Sequence, residues 1–199
     1  SIKANYSRTR QYMQLAQNST AGTPLDIWFP ASPNVQPQIA DQVALGYFRN
    51  FNENTLEASF EIYYKNMRNA IDFKDFAQVL LNEQLEGELR FGKAWSYGAE
   101  FLLRKNTGKL TGWISCTYSK TIRKFEDINS GNVYPAPYDK PHDISVVLSY
   151  AVTERLDVSA NWVYASGQPA TFPTGRAEYG NTIVPIYSDR NAYRLRDYH

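Results

Sequence analysis

The stretch YGAEFLLRKNTGKLTGWISCTY, residues 97–118, decides the fold because apolar and polar side chains alternate along it. One set of alternate positions is apolar or small: Tyr97, Ala99, Phe101, Leu103, Leu110, Gly112, Ile114, Cys116 and Tyr118. The intervening set, which contains Glu100 and Arg104, is mostly polar. Between the two halves, Asn106-Thr107-Gly108-Lys109 supplies Asn and Gly, which tolerate the positive φ angles of tight turns. Because side chains alternate between the faces of a strand, the stretch predicts a β-hairpin with one apolar face.

The same alternation continues on both sides of this hairpin. Predicted strands cover residues 2–13, 43–48, 56–73, 97–104, 110–124, 144–150 and 156–164, and an eighth begins near residue 193. Short turns at 52–55, 106–109 and 153–155 alternate strictly with long connections near 17–42, 75–95, 125–141 and 166–191. The four prolines in residues 17–42 exclude a central strand there, and residues 75–95 can hold a helical turn. The sequence therefore predicts an all-β chain, folded as an antiparallel up-and-down meander of seven to eight strands.

Composition narrows the functional classes. The chain has 199 residues with 21 basic and 20 acidic side chains, so no net field draws it to nucleic acid. A single cysteine excludes an internal disulfide, and His142 and His199 are the only histidines, so no metal or other cofactor is predicted. No apolar run exceeds four residues, which excludes a membrane-spanning helix. Strands of a membrane barrel remain compatible with this pattern, because their lipid-facing residues occupy only every second position.

The order of residues along the apolar face favours a membrane barrel. Tyrosine and tryptophan fall near the strand ends, at positions 47, 64, 97, 118, 150, 162 and 164, and aliphatic residues fall mainly between them. Aromatic rings at both headgroup levels would give this order, whereas a soluble core has no reason to sort aromatics by depth. The predicted lipid-facing residues are Phe60, Ile62, Phe101, Ile114, Val146, Leu148 and Val158. The predicted lumen-facing residues are Glu57, Glu61, Glu100, Arg104 and Asn161.

Two other readings stay open at this point. Short strands joined by turns also fit a soluble β-barrel or β-sandwich binding module, with carbohydrate as one ligand class and the apolar face as its own core. An enzyme could use Glu61 or Glu100, since paired carboxylates ~5–10 Å apart hydrolyse glycosides. Polar lumen walls carry such carboxylates in any case, so no catalytic residue is predicted and the chain is not expected to be an enzyme.

Recognition is expected in the long loops, because binding residues concentrate on loops held by a rigid scaffold. The aromatic loop residues could stack on a solute or equally pack the loops together: Trp28, Phe29, Tyr134, Tyr138, Phe172, Tyr179 and Tyr187. The basic residues Lys120, Arg123 and Lys124 follow a strand into a loop. They are interpreted as a solvated charge run that could contact lipopolysaccharide or an acidic ligand.

Short motifs lie in a fixed order along nearly the whole chain. They are DIW at 26–28 with QPQ at 36–38 and GY at 46–47, YYKNM at 63–67, SYGAE at 96–100, TGW at 111–113 running to YS at 118–119, DKPHD at 139–143, and SGQP at 166–169. Together they resemble the C-terminal part of the barrel of TonB-dependent outer-membrane receptors of the Bacteroidetes type. The resemblance implies an integral protein of the bacterial outer membrane, whose intact barrel has about 22 strands around a plug.

The resemblance also implies a function and a set of partners. Such receptors bind a scarce solute outside the cell (a siderophore, vitamin, glycan or peptide) and import it into the periplasm. The implied partners are outer-membrane lipid, the plug domain, the remaining barrel strands and the TonB complex, with a surface lipoprotein as a further candidate. Both ends of the chain fall inside predicted strands, so residues 1–199 are expected to be a partial barrel without the plug domain and the last strands.

Overall fold

The computed structural model describes residues 1–17, 26–75, 77, 79, 81–180 and 182–199, and its regular structure is almost entirely β. In chain order the strands are β1 (Ile2–Gln11), β2 (Met13–Gln17), β3 (Asp26–Pro30), β4 (Gln38–Phe51), β5 (Leu56–Phe73), β6 (Leu89–Lys105), β7 (Leu110–Lys124), β8 (Tyr134–Pro135), β9 (His142–Thr153), β10 (Leu156–Ala165), β11 (Pro169–Ala170), β12 (Pro173–Tyr179), β13 (Thr182–Tyr187) and β14 (Tyr193–Arg194). Two 3-10 turns span Leu85–Glu88 and Asn129–Gly131. No described helix is long and apolar enough to cross a bilayer.

Seven long strands form one sheet in the order β1-β4-β5-β6-β7-β9-β10, and every neighbouring pair is antiparallel. Short turns join β4 to β5, β6 to β7 and β9 to β10 at one end, which we call the turn end. Long connections join the other pairs at the opposite end, which we call the loop end, where β8 adds to β7. This arrangement confirms the predicted all-β antiparallel meander. Within the described residues β1 and β10 do not pair with each other, so the sheet is open.

The register places apolar and polar side chains on opposite faces of the whole sheet. Cross-strand partners share a face, and one row of partners runs through all seven strands: Ile2, Tyr47, Phe60, Phe101, Cys116, Ile144 and Tyr164. We call the face that carries this row the apolar face. A row of the opposite, polar face is Lys3, Gly46, Glu61, Glu100, Thr117, Asp143 and Ala165. By the same register, all predicted lipid-facing residues share the apolar face and all predicted lumen-facing residues share the polar face.

The strands β6, β7 and β9 are staggered. At the loop end β6 continues to Leu89, past the Lys93–Lys124 pair at which β7 stops. In turn β7 continues past Tyr118, the partner of the first β9 residue, His142. At the turn end, β7 extends beyond β6 and β9 extends beyond β7. The neighbouring pairs β5–β6 and β9–β10 end almost level. Strands that tilt in a barrel wall require offsets of this kind.

Residues with positive φ mark the turns and one bulge. Asn52, Glu53 and Asn54 have φ of 49°, 54° and 68°, and Gly108 has φ of 100° in the predicted Asn-Thr-Gly-Lys turn. Asn69, with φ of 57°, forms a bulge in β5 where the register with β6 shifts. Asn and Gly tolerate this backbone region, so the turn chemistry agrees with the strand pattern.

The buried apolar side chains lie at the loop end, in two clusters. Beyond the bulge, Ile71 and Phe73 alternate with Ala70 and Asp72, so the two clusters occupy opposite faces of the extended β5. The first cluster contains Ala16, Phe29, Val35, Ile71, Phe73, Val79 and Leu89. The second, on the polar face, contains Ala40, Met67, Ala70, Ala94, Phe125, Ile128 and Tyr134.

The long connections contain more structure than the sequence predicts. Strands β4 and β6 begin inside the predicted connections 17–42 and 75–95, because the extended end of β5 gives them partners. Two hairpins, β2–β3 and β12–β13, lie in the first and last connections outside the main sheet. The predicted eighth strand does not join the sheet: β14 pairs with β11, and Tyr198 bridges to Ala165. Residues 18–25, 76, 78, 80 and 181 of these connections lie outside the described part of the chain.

Candidate functional site

A buried carboxylate, Asp72 near the end of β5, anchors two long connections. Its Oδ1 accepts a hydrogen bond from Arg190 Nη1 at 2.8 Å, and its Oδ2 accepts one from the Tyr134 hydroxyl at 2.7 Å. Arg123 Nη1 donates to the same Oδ2 at 3.3 Å. The side chains of Asp72 and Arg190 are 4% and 2% exposed, so each charge depends on its partner. Burial and the Asp72 carboxylate raise the pKa of the Tyr134 phenol, which therefore remains a donor.

A second carboxylate, Asp139, fixes the end of the chain over β7. It accepts a hydrogen bond from the Thr121 N–H at 2.6 Å and pairs with the Arg194 guanidinium. Arg194 also donates to the Gly167 carbonyl at 3.1 Å. The Asp139 side chain is 1% exposed. These contacts hold the third and fourth long connections in one arrangement over the loop end.

The loop aromatics named from the sequence divide into two groups. Phe29 packs edge-on against Phe73 with ring centroids 5.9 Å apart, and Tyr134 is bound to Asp72, so both are buried in loop packing rather than open to a ligand. Trp28 and Tyr138 are exposed. Phe172 is also exposed and packs on Tyr193, and Tyr187 is half-buried. The side chain of Tyr179 lies outside the described part of the chain.

A cavity of about 200 Å³ opens on the polar face beneath the β2–β3 hairpin. Its polar lining consists of Gln11, Gln14, Gln38, Lys65, Arg123 and Tyr138. Gln14 is buried and donates its amide to the Gln36 carbonyl at 2.8 Å, but its Oε1 has no hydrogen-bond partner among the described residues. Arg123 Nε, in the same lining, also has none. The Arg123 guanidinium lies 5.6 Å from the centroid of the Tyr138 ring.

Two residues of the lining therefore each keep a buried polar atom without a partner among the described residues, Gln14 Oε1 and Arg123 Nε. Such an atom destabilises the fold by about 1–3 kcal/mol. Both atoms are closed to solvent, whereas the Lys65 ammonium of the lining can pair with a carboxylate. The Tyr138 ring adds an apolar surface on which a flat group can stack.

The carboxylates named from the sequence lie on the same face but nearer the turn end. Glu61 and Glu100 are direct cross-strand partners, and Glu57 accepts a hydrogen bond from Asn106 Nδ2 at 2.8 Å. Arg104 is the cross-strand partner of Glu57. Carboxylates on directly opposite residues repel each other. Their presence fits a polar wall and does not by itself make an acid–base pair.

The described residues offer no metal centre. Within them, no group of three or more His, Cys, Asp or Glu side chains could hold a metal ion. His142 packs against Tyr118 with ring centroids 5.4 Å apart, and Cys116 is half-buried on the apolar face.

Sequence reasoning named Tyr138 but missed the glutamines that line the cavity. Gln11, Gln14 and Gln38 belong to a glutamine-rich part of the chain, residues 11–42, and that enrichment was the available signal. The enrichment in glutamine does not show which of these side chains line one cavity. Their positions depend on how β2 packs against the sheet, through contacts between residues that are distant in sequence.

No protein-family model matches the chain, and no curated protein or solved structure matches it either. The two faces, the anchored loops and the cavity are the features from which its function is inferred.

Proposed function

We propose that this chain is part of the wall of a TonB-dependent outer-membrane receptor, which binds a scarce polar solute and imports it into the periplasm. The apolar face contacts lipid and the polar face borders the lumen and plug domain. The loop end faces the cell exterior, and the turn end faces the periplasm. The chain itself performs no covalent chemistry. The TonB complex would act through the plug domain, and a surface lipoprotein would dock on the loops.

The exposed apolar face is the single observation that carries this proposal. Phe60, Phe101 and Val158 are 48%, 39% and 56% exposed, and no second layer of described residues covers them. Soluble monomers rarely expose contiguous apolar patches larger than a few hundred Å². The row of apolar-face partners runs from Ile2 on β1 to Tyr164 on β10, so the patch crosses all seven strands. Lipid is the environment in which a face of this size is stable.

Strand length, stagger and the open edges support the same placement. The seven strands are 10 to 18 residues long, enough for the ~9–11 residues that cross a bilayer at a tilt. Unpaired edges at β1 and β10 promote aggregation unless another strand covers them. Further barrel strands would satisfy both edges.

The cavity on the polar face supports solute binding on the exterior side. Its glutamine, lysine and arginine side chains suit a solute with hydroxyl and carboxylate groups, and the aromatic ring of Tyr138 lies at its border. The loops above it are fixed by Asp72 and Asp139, which pre-organises the site. Replacing Lys65→Gln removes a cation of the lining and should weaken binding of a carboxylate-bearing solute about tenfold, roughly 1.4 kcal/mol, without loss of folded protein.

A pair of adjacent positions tests which face meets lipid. In a Cys116→Ser background, Phe101→Cys and Glu100→Cys place a thiol on opposite faces of β6 at the same depth. In native membranes containing the intact protein, we expect a lipid-soluble, thiol-reactive probe to label Phe101→Cys but not Glu100→Cys. A water-soluble maleimide should show no reaction at Phe101→Cys.

The same labelling separates the alternatives. Rapid maleimide labelling at Phe101→Cys, or recovery of the intact protein as a water-soluble monomer, would contradict the proposal and favour the soluble binding module. Hydrolysis of a glycan that is lost in Glu61→Gln and Glu100→Gln would favour the enzyme.

A further inference from the structure

A groove of about 520 Å³ lies at the loop end, beside the β5 bulge at Asn69. Three cations line it from three neighbouring strands: Arg68 on β5, Lys93 on β6 and Lys124 on β7. Their Cα atoms are direct cross-strand partners, Arg68 with Lys93 and Lys93 with Lys124. By strand alternation all three side chains belong to the apolar face.

Like charges directly opposite each other destabilise a sheet. Asp41 relieves part of this repulsion, since its Oδ2 lies 3.0 Å from Arg68 Nη2. Among the described residues neither Lys93 nor Lys124 forms an ion pair, and the nearby Glu126 lines the groove without bonding either one. The row therefore has a surplus of positive charge that an anionic ligand would neutralise.

The residues that follow Lys93 on the apolar face of β6 indicate what kind of anion fits the three cations. Going along β6 toward the loop end, the apolar face carries Phe101 and Ala99, then Tyr97 and Trp95, then Lys93. In a membrane, apolar side chains match the hydrocarbon, Tyr and Trp match the interface, and Lys matches the headgroups, in the same order. The four residue-to-residue steps from Tyr97 to Lys93 cover about 13 Å along the strand and roughly 9 Å along the membrane normal at a 45° tilt.

We propose that the groove binds the phosphate groups of anionic lipids in the outer leaflet. Lys93, Lys124 and Arg68 contact the phosphates, and Trp95, on the membrane side of Lys93, contacts the upper acyl chains. A lipid fits better than an acidic protein because, along β6, the cation Lys93 is followed on the same face by Trp95, Tyr97, Ala99 and Phe101, which lead directly into the apolar face. This inference rests on the proposed membrane placement.

Lipid phosphate that co-purifies with the intact protein provides the first test. The protein is extracted from native membranes in mild non-ionic detergent, and bound lipid is quantified by phosphorus assay and mass spectrometry. The double variant Lys93→Gln/Lys124→Gln should retain less than half the bound phosphate of the unmodified protein. The control Lys105→Gln/Lys109→Gln removes two cations at the turn end and should retain all of it. Unchanged phosphate in the groove variant would overturn the proposal, as would loss of an acidic protein instead of lipid.

The melting temperature gives a second test. If the three cations were only solvated charges, anionic lipid would not change it specifically. In lipid-free detergent the groove variant should melt no lower than the unmodified protein, because a repulsion is removed. Adding phosphatidylglycerol should raise the melting temperature of the unmodified protein more than phosphatidylcholine does, and this difference should vanish in the groove variant. A difference that persists would overturn the proposal. Labelling of Phe101→Cys by the lipid-soluble probe in the same membranes separates two kinds of failure. If Phe101→Cys is labelled, only the headgroup site is wrong. If it is not labelled, the proposed membrane placement is wrong as well.

Discussion

The loop end and the turn end of the same sheet are stabilised in different ways. Every buried apolar side chain among the described residues lies at the loop end or in the connections that cover it. At the turn end, the apolar residues Leu110, Tyr150, Val152 and Leu156 are all exposed. The loop end therefore has its own core and buried ion pairs, whereas the described residues of the turn end have backbone pairing and exposed side-chain hydrogen bonds such as Asn106 to Glu57. On the proposed placement, lipid and neighbouring strands would cover the turn end. Seven substitutions, in four experiments, probe these two sources of stability.

Removing the central carboxylate of the loop end should have the largest effect. Asp72→Ala leaves Arg190 buried without its main partner and should destabilise the intact protein by about 3–5 kcal/mol. Denaturant unfolding in detergent measures the loss, and limited proteolysis shows whether the last long connection has loosened. Asp157→Ala at the exposed turn end should change stability by no more than about 0.5 kcal/mol. Similar losses in both variants would contradict the contrast between the ends.

Alanine substitutions at two phenylalanines compare the stability contributed by the buried core with that contributed by the exposed apolar face. Phe73 is fully buried, so Phe73→Ala should cost about 3 kcal/mol or more by leaving a cavity. Phe101 lies on the exposed apolar face, where on the proposed placement mobile lipid or detergent would fill the space, and Phe101→Ala should cost no more than about half as much. The measurement is unfolding of both variants in the same detergent. A larger loss at Phe101 would indicate that another layer of protein covers the apolar face.

A charge introduced at adjacent positions of β9 tests the two faces at one depth. Val146→Lys should destabilise the membrane-inserted protein by about 2–4 kcal/mol, the range for lysine near the middle of a lipid-facing surface. Ser145→Lys lies on the polar face and should change stability by no more than about 0.5 kcal/mol. Folding yields in vesicles across a denaturant series give both values. A reversed order would mean that the lipid-facing side has been misassigned.

The smallest effect should be a local loosening at low pH near the end of the chain. Asp197 accepts hydrogen bonds from the Tyr164 hydroxyl at 2.6 Å and the Gly167 N–H at 2.9 Å, and these lower its pKa below the ordinary value of 3.8. Because the folded pKa is lowered, the contribution is present above pH 3.8 and is lost as pH falls through the folded value. Amide exchange at Gly167 should accelerate in that window. Asp197→Asn should abolish the pH dependence, and an unchanged profile in that variant would refute this assignment.

The hairpin at residues 97–118 shows what local sequence is sufficient to predict. Its strand alternation and its Asn-Thr-Gly-Lys turn specify the same register, and the structure has β6 and β7 in that arrangement. The predicted end of β5 near Phe73 and the predicted end of β7 near Lys124 also agree with the structure. These features depend on period two and on turn chemistry, which act over a few residues.

The basic residues Lys120, Arg123 and Lys124 show where local sequence is insufficient. They are neighbours in the chain, but strand alternation sends Arg123 to the polar face, where it meets Asp72, and Lys124 to the apolar face, beside Lys93. The pattern indicated a charge run, but the partners lie on other strands and in other connections. The hairpins within the long connections were missed for the same reason, since their positions depend on contacts distant in sequence.

The sequence by itself determined that the chain forms an antiparallel meander with one apolar and one polar face, because side-chain alternation is a property of each strand alone. Only the tertiary structure decided that Asp72 and Arg190, 118 residues apart, share a buried ion pair, and that Gln14 and Arg123 line one cavity. Such contacts depend on how long loops close over the sheet. Loop closure is governed by the sum of many weak contacts and by chain entropy, which no short stretch of residues encodes.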